Sequence, residues 1–261
     1  MNAARDNAGS MIAFITGATA GFGAAIARRY VQEGHKVVAS GRRLERLQAL
    51  QRELGAASCH IVELDVRDRD AVEAAFSNLP AAFRDIDVLV NNAGLAMGRE
   101  PSQSASLDDW DTMVDTNVKG LMYCSRAALG GMVERNRGHI VNIGSVAGMY
   151  PYPGGNVYGP TKAFVHHFSL NLRADLLGTA VRVTDVQPGM TSGTEFSKVR
   201  FRGNEERAAK VYEGVVATLT ADDIADMVYW VTSRPAHVNI NSLEVMPVAQ
   251  AFNVFNVDRR T

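Results

Sequence analysis

Short apolar runs alternate with longer stretches of helical period along this chain. MIAFIT (11–16) precedes a helical stretch from 21 to about 33. KVVAS (36–40) leads to a helix over 44–54, HIVELDV (60–66) to a helix over 68–79, and IDVLVNN (86–92) to helical patterns over 106–135. HIVNIGS (139–145), VRVTDVQP (181–188) and SLEVMP (242–247) complete the strands, with a helix from 158 to about 176 among them. The strands are rich in Val and Ile and apolar on both faces, as strands covered by helices on both sides are. The alternation predicts an α/β fold, a single-domain Rossmann-like doubly wound parallel sheet with helices on both faces. Right-handed crossovers put the strand C-termini on one edge, where ligands bind in such sheets. Gly17, Arg42, Asp65, Asn91, Ser145 and Pro188 each end or follow a strand and so fall on that edge.

The length of 261 residues suits one large domain over 11–261, with residues 1–10 read as a polar tail and Met11 as an alternative start. A net charge of −1 gives no electrostatic reason to expect nucleic acid or a membrane surface. No apolar run approaches the roughly 18 to 20 residues of a membrane span, and the run after the tail is too short for a signal-peptide core. Cys59 and Cys124 are far apart and lack a metal-ligand spacing. No metal site is expected, and a reducing, cytoplasmic location fits better than a disulfide framework.

The first turn reads Thr16-Gly17-Ala18-Thr19-Ala20-Gly21-Phe22-Gly23. Glycines let backbone approach a ligand, and the helix that follows offers free N–H groups and a positive dipole end to a pyrophosphate. The spacing is G-x-x-x-G-x-G rather than G-x-G-x-x-G. A tight turn with no ligand is the plain alternative, but the position after the first strand is the one a dinucleotide site needs. Arg42 and Arg43 follow the second strand, where an acidic residue would bind a ribose 2′-hydroxyl. A guanidinium there suits a 2′-phosphate, so NADP is the expected cofactor; solvated surface charge is the alternative. Asp65 and Val66 close the third strand, at the adenine end or merely in a turn.

Ser145 ends a strand; Tyr158 lies thirteen residues on and Lys162 four further. Residues four apart share a helix face, so phenol and ammonium can sit side by side. A free tyrosine, with a pKa near 10, is a poor base at neutral pH, and a nearby cation favours the phenolate. Tyr158 could then exchange a proton with an alcohol while Ser145 orients the substrate oxygen.

Together these residues make the chain resemble the short-chain dehydrogenase/reductase family. The motifs are Thr16-Gly17-x-x-x-Gly21-x-Gly23, Asn91-Asn92-Ala93-Gly94, Asn117 in DTNVKG, Ser145 in NIGSVAG, Tyr158-x-x-x-Lys162 and Pro188-Gly189, in family order over about 11–250. The resemblance implies that Asn91 to Gly94 steady the central strand and line the adenosine side. It implies that Asn117 holds a helix open around a water and links Lys162 to solvent, and that Lys162 binds the nicotinamide ribose. Pro188 to Phe196, with Gly189, Thr191 and Thr194, would cover the nicotinamide and phosphates, and a loop over about 190–215 would close on substrate. Within the family the chain is similar to NADP-dependent 3-hydroxy acid dehydrogenases. That similarity rests on TGATAGFG (16–23), SGRR (40–43), GGNVYGPTKAFV (154–165), GTEFSKVRF (193–201) and PAHVNINSLEVMPV (235–248). The implied reaction is NADP-linked oxidation of serine, L-allo-threonine or 3-hydroxypropionate, or reduction of malonic semialdehyde. Gly159-Pro160 departs from the commoner motif without removing a catalytic group.

A hydroxy acid carries a carboxylate, which calls for a cation or backbone N–H groups. Candidates are Arg200, Arg202 and the Gly154-Gly155-Asn156 turn; the arginines could equally be solvated loop charges. Adjacent His166 and His167 make a poor metal pair and read as surface or interface residues. The apolar segment 246–257 could cover a neighbouring subunit, and the family resemblance implies a homotetramer with helices around 107–135 and 158–177 at an interface. Two other readings stay open. One is an NADPH-dependent reductase of 3-oxoacyl carrier thioesters, small ketones or sugars. The other is a cofactor-sensing binding protein that has lost catalysis, against which the complete Tyr158/Lys162 pair counts.

Overall fold

In a computed structural model the described residues are 9–252. Seven strands form one sheet: β1 (Ile12–Ile15), β2 (Lys36–Gly41), β3 (Cys59–Glu63), β4 (Val88–Asn91), β5 (Gly138–Ile143), β6 (Val181–Pro188) and β7 (Ser242–Val245). Their order is β3-β2-β1-β4-β5-β6-β7, and every pairing is parallel. The order reverses between β1 and β4, which opens a crevice at the strand C-termini between the loops of the two halves.

Nine α-helices are described: α1 (Gly21–Gln32), α2 (Leu44–Leu54), α3 (Arg69–Ser77), α4 (Leu107–Val114), α5 (Leu121–Glu134), α6 (Tyr158–Asp175), α7 (Phe196–Arg200), α8 (Glu205–Lys210) and α9 (Ala221–Thr232). They cover both sheet faces. Alternate residues of β1 face opposite ways, as strand geometry requires. Ala13 and Ile15 pack with Ile26 and Tyr30 of α1, Leu47 of α2 and Ile224 and Val228 of α9. Phe14 packs with Val72 of α3, Cys124 and Met132 of α5 and Leu172 of α6. The two cysteines, Cys59 and Cys124, are buried and unbonded.

Three features differ from the expected pattern. The helical stretch over 106–135 is interrupted by a π-helical segment, Asp115–Gly120. Helix α9 was not expected, although Thr220 and Asp223 form a reciprocal capping box and Ile224, Val228 and Val231 are buried at helical spacing. A hydroxyl contact of 2.6 Å between Tyr30 and Thr232 ties α9 to α1. The loop expected to close over substrate contains α7 and α8. The polar tail, apart from Gly9 and Ser10, and residues 253–257 of the closing segment lie outside the described residues.

Gly23, expected at the cofactor, instead fixes how α1 leaves the sheet. A methyl group there would lie 2.5 Å from the Gly17 carbonyl oxygen and 2.6 Å from Asn92 Nδ2. Overpacking against backbone of this kind costs about 1–3 kcal/mol. Gly23→Ala should lower stability by that amount in urea denaturation, read at the transition midpoint with an unchanged m value.

Candidate active site

A cavity of about 710 Å³ runs along the C-terminal edge of the sheet, within the roughly 300–1,000 Å³ range of ligand clefts. Tyr158 and Lys162 open α6 and are both buried, 8% and 7% exposed. Ser145 follows β5, and its Oγ accepts a hydrogen bond from the Ala147 N–H at 3.1 Å. All three line the cavity. The Lys162 ammonium donates to the Ile143 carbonyl at 2.7 Å and lies 5.9 Å from the centre of the Tyr158 ring. Burial pushes the Tyr158 phenol up to about 12, with the Ser145 hydroxyl and then the Arg200 charge acting the other way. Burial pushes Lys162 down to about 8, opposed by the carboxylate of Asp185. The side-by-side pair expected from the spacing is therefore corrected in one respect: Lys162 reaches past the phenol to β5, and Arg200 is the cation acting on the phenol.

Asn117 is almost fully buried in the π-helical segment and does not line the cavity. Its Oδ1 accepts from the Leu95 N–H at 2.9 Å, and its Nδ2 donates to the Leu95 carbonyl at 2.8 Å and to Thr161 Oγ1 at 3.1 Å. It joins the chain after β4 to the first turn of α6. A Cβ on Gly94 would stand 3.3 Å from Asn117 Oδ1 and 3.4 Å from Lys162 Nζ, so a glycine there keeps both groups close to the cavity wall.

The other half of the cavity is lined by Gly17, Thr19, Ala20, Gly21 and Phe22 of the first turn, by Arg42 and Arg43 after β2, by Asp65 and Val66 after β3, and by Asn92, Ala93 and Gly94 after β4. Gly17 and Gly21 have φ of 68° and 52°, a region that other residues enter at a cost. No side chain caps the start of α1, so its first N–H groups are left to a ligand. These features fit a dinucleotide, the glycine turn cradling a pyrophosphate and the arginines facing its adenosine end. Arg42 is exposed and has no ion-pair partner among the described residues. Arg43 is taken by Thr19 Oγ1 at 2.8 Å and by Glu195 at 2.8 Å. Asp65 is bound by Arg67, which holds its carboxyl below the usual range. Asn91 is off the wall; its amide bridges Ser125 and Asn142 in the core.

Pro188, Gly189, Thr191, Thr194 and Phe196 line the third side, and the Phe196 ring lies 5.6 Å from that of Tyr158. Arg200, the last residue of α7, also faces the cavity. Its Nε donates to the Gly98 carbonyl at 3.0 Å, and its terminal nitrogen donates to the Tyr152 hydroxyl at 2.9 Å. Its guanidinium carbon is 5.9 Å from the Tyr158 ring centre. Two expectations fail here. Arg202 turns to Asp109 at 2.8 Å. Gly154 and Gly155 stay off the wall, Gly154 packing on Arg99 while its carbonyl accepts from Arg200. Of the closing segment, Gln250 Oε1 accepts from the Met190 N–H at 2.6 Å and Phe252 touches Tyr150, while Val248 and Phe252 stay exposed. Glu195 and Tyr212 also stand on the cavity wall, within the segment 188–196 and the loop over about 190–215 expected at the site, and so do Arg99 and Tyr152, which were not expected there.

The sheet order, the glycine turn and the Ser145, Tyr158 and Lys162 cluster define a nicotinamide-type oxidoreductase site, and the chain belongs to the short chain dehydrogenase family, whose model matches residues 11–205. It is 64% identical over 249 residues to the NADP-dependent 3-hydroxy acid dehydrogenase of Salmonella typhimurium, covering 95% of this chain and all of that protein. It is 55% identical over 247 residues to the serine 3-dehydrogenase of Agrobacterium fabrum, covering 95% and 98% of the two chains. Among solved structures, the closed form of a serine dehydrogenase complexed with NADP+ superposes with a TM-score of 0.94 at 60% identity, covering 96% of this chain and all of that one.

Asn117→Ala would strip the Leu95 N–H and carbonyl of their partners. Leaving buried polar groups unmade costs about 1–3 kcal/mol. The variant should unfold at correspondingly lower urea, and amide exchange at Leu95 should quicken.

Proposed function

We propose that the protein is an NADP-dependent 3-hydroxy acid dehydrogenase. It oxidises serine, L-allo-threonine and 3-hydroxypropionate at the hydroxyl carbon, and in reverse reduces malonic semialdehyde. The observation that carries this is the Arg200 guanidinium, tied into the cavity wall beside the buried Tyr158 phenol. A carboxylate held there leaves a 3-hydroxyl free to reach the phenol. Similarity to an NADP-dependent 3-hydroxy acid dehydrogenase and to a serine 3-dehydrogenase supports the substrate class and the cofactor.

When bound along the glycine turn, NADP would supply the hydride acceptor for the alcohol carbon, or the hydride donor in reduction. Ser145 donates a hydrogen bond to the substrate oxygen and orients it. The Tyr158 phenolate takes the hydroxyl proton as the carbonyl forms. The Lys162 ammonium, 5.9 Å from the centre of the Tyr158 ring, would add to the Arg200 charge that favours the phenolate, and it would also bind the nicotinamide ribose. Asn117 holds the chain that carries Gly94 close to Lys162, and the helix it holds open would take a water that links Lys162 to solvent. Arg42 and Arg43 bind the 2′-phosphate, with Arg42 the arm that no described acidic group occupies. Thr191, Thr194 and Phe196 close over the nicotinamide as the loop over about 190–215 folds onto substrate.

Residues 11–261 act as one catalytic domain. The enzyme works in the cytoplasm as a homotetramer with α4, α5 and α6 at an interface. Met122, Val133 and Leu170, apolar and 38–42% exposed on α5 and α6, support that assembly. Among the described residues no helix is long and apolar enough to cross a membrane.

Three results test this reading. Tyr158→Phe should abolish turnover of serine with NADP while leaving cofactor binding nearly intact by fluorescence; retained turnover would sink it. Charge-assisted hydrogen bonds contribute about 1.5–3 kcal/mol. Arg42→Ala should therefore cut the preference for NADP over NAD by about 10- to 100-fold in kcat/KM. Arg200→Ala should raise KM for serine about 10-fold and leave simple secondary alcohols as poor as before.

A further inference from the structure

The face of α6 that carries Tyr158 and Lys162 continues, four residues further on, to His166. His166 is half-buried, and its Nδ1 lies 3.0 Å from Oδ2 of Asp185 on β6. Gln187 brings Nε2 to 2.6 Å from the same Oδ2 and 2.8 Å from the histidine nitrogen. Asp185 has no exposed surface. It sits in the sheet between Asn142 of β5 and Ser242 of β7. Its second oxygen, Oδ1, has no hydrogen-bond partner and presses on the backbone of Gly144, the residue before Ser145. No side chain but hydrogen fits at position 144 against that oxygen. A buried carboxylate with an unmet oxygen is costly unless a nearby cation offsets it. Asp185, His166 and Gln187 do not line the cavity, so substrate and cofactor do not account for them.

We propose that Asp185, held by His166 and Gln187, is a positioning residue for the reaction: its carboxylate is the buried counter-charge that keeps the Lys162 ammonium protonated beside Tyr158. The proposal rests on the reading of Tyr158 and Lys162 as the proton-transfer pair. Among the described residues Asp185 is the one acidic group acting on Lys162, and it opposes the burial that pushes the ammonium down. Burial raises the Asp185 carboxyl above its usual range, and the hydrogen bonds of Gln187 and His166 with the charges of His166 and Lys162 oppose that rise. The other neighbours do not compete. Asn117 and Asn142 are neutral, and Ile143 offers a carbonyl. Glu244 of β7, beside Gln187, is exposed and bonded to the Tyr150 hydroxyl at 3.3 Å. His167 is exposed, and Arg200 faces the phenol from the opposite loop.

A nearby anion raises an ammonium pKa, so removing it lets Lys162 lose its proton at lower pH. The chain has five lysines, Lys36, Lys119, Lys162, Lys198 and Lys210, which makes direct titration practical. The whole protein without cofactor, labelled with ¹³C at lysine Cε, is titrated by NMR, and Lys162→Met assigns the Lys162 signal. In Asp185→Asn the Lys162 midpoint should fall by about one pH unit, within the range such charges produce, while the other four lysines stay in place. The alkaline limb of kcat/KM for serine should move down by the same amount. A merely structural role would lower kcat at every pH and leave both midpoints where they were. If Asp185→Asn does not fold, Asp185→Ser serves, because it keeps a small polar group but carries no charge; the Lys162 midpoint should fall in the same direction. An unmoved Lys162 midpoint in the folded variant overturns the proposal. Retained turnover in Tyr158→Phe would instead overturn the proton-transfer reading, and the lysine titration would still stand on its own.

Discussion

The site depends on the burial of one ammonium. Lys162 is 7% exposed at the end of a parallel sheet, a setting that favours loss of its proton. The fold answers with a carbonyl at the end of β5, a carboxylate inside β6 and a glycine that lets the ammonium reach the cavity wall. Each answer comes from a different element. The register of β4, β5 and β6 must therefore be right before Lys162 can be both buried and charged. A one-residue slip would turn Asp185 to the other face of the sheet and leave the ammonium without its anion.

The cavity is closed by side chains that each join two loops. Glu195 holds Arg43 at 2.8 Å and Arg46 at 2.9 Å, and so ties the segment bearing Phe196 to the turn after β2. Arg200 ties the end of α7 to Gly98 and Tyr152. The two ends of the cavity are thus linked through the segment that bears Glu195 and Arg200. Exposed ion pairs of the Glu195 kind contribute little each, on the order of 0–1 kcal/mol. A closure built from several such contacts can open again to release product.

The frame was legible because it is written in local pattern. Short apolar runs, most of them rich in Val and Ile, mark the strands, and Gly17, Arg42, Ser145 and Pro188 mark the functional edge by their positions at strand ends. Tyr158 and Lys162 were legible from their spacing, but the path of the lysine was not. Whether Nζ meets the phenol or the Ile143 carbonyl is settled by how far α6 stands from β5, a tertiary distance. The π-helical segment around Asn117 was legible only through family resemblance, since its composition is that of an ordinary helix. His166 read as a surface residue because its partner, Asp185, lies nineteen positions away on another element. Helix α9 was missed although its capping box stood in the sequence. Arg200 and Arg202 looked alike as loop charges, and only the turn at Arg202, with φ of 52°, sends the second one out to Asp109.

On the proposed reading, Arg200 would carry the selectivity in two ways that pull together. Its hydrogen bonds to Gly98 and Tyr152 fix the guanidinium before substrate arrives, so little side-chain freedom is lost on binding. The same bonds hold a cation near an apolar wall that includes Phe196 and the Tyr158 ring. A substrate without a carboxylate would cover that cation and leave it unpaired. Sites that bury an unmet polar group reject analogues far more strongly than sites that merely lose a contact. The arginine also acts on the phenol, in the direction of the phenolate. A bound carboxylate would neutralise part of that effect and leave Lys162 as the main positive charge next to Tyr158. The charge of Lys162 then matters most when the proper substrate is in place, and that is the state in which its buried counter-ion has to hold.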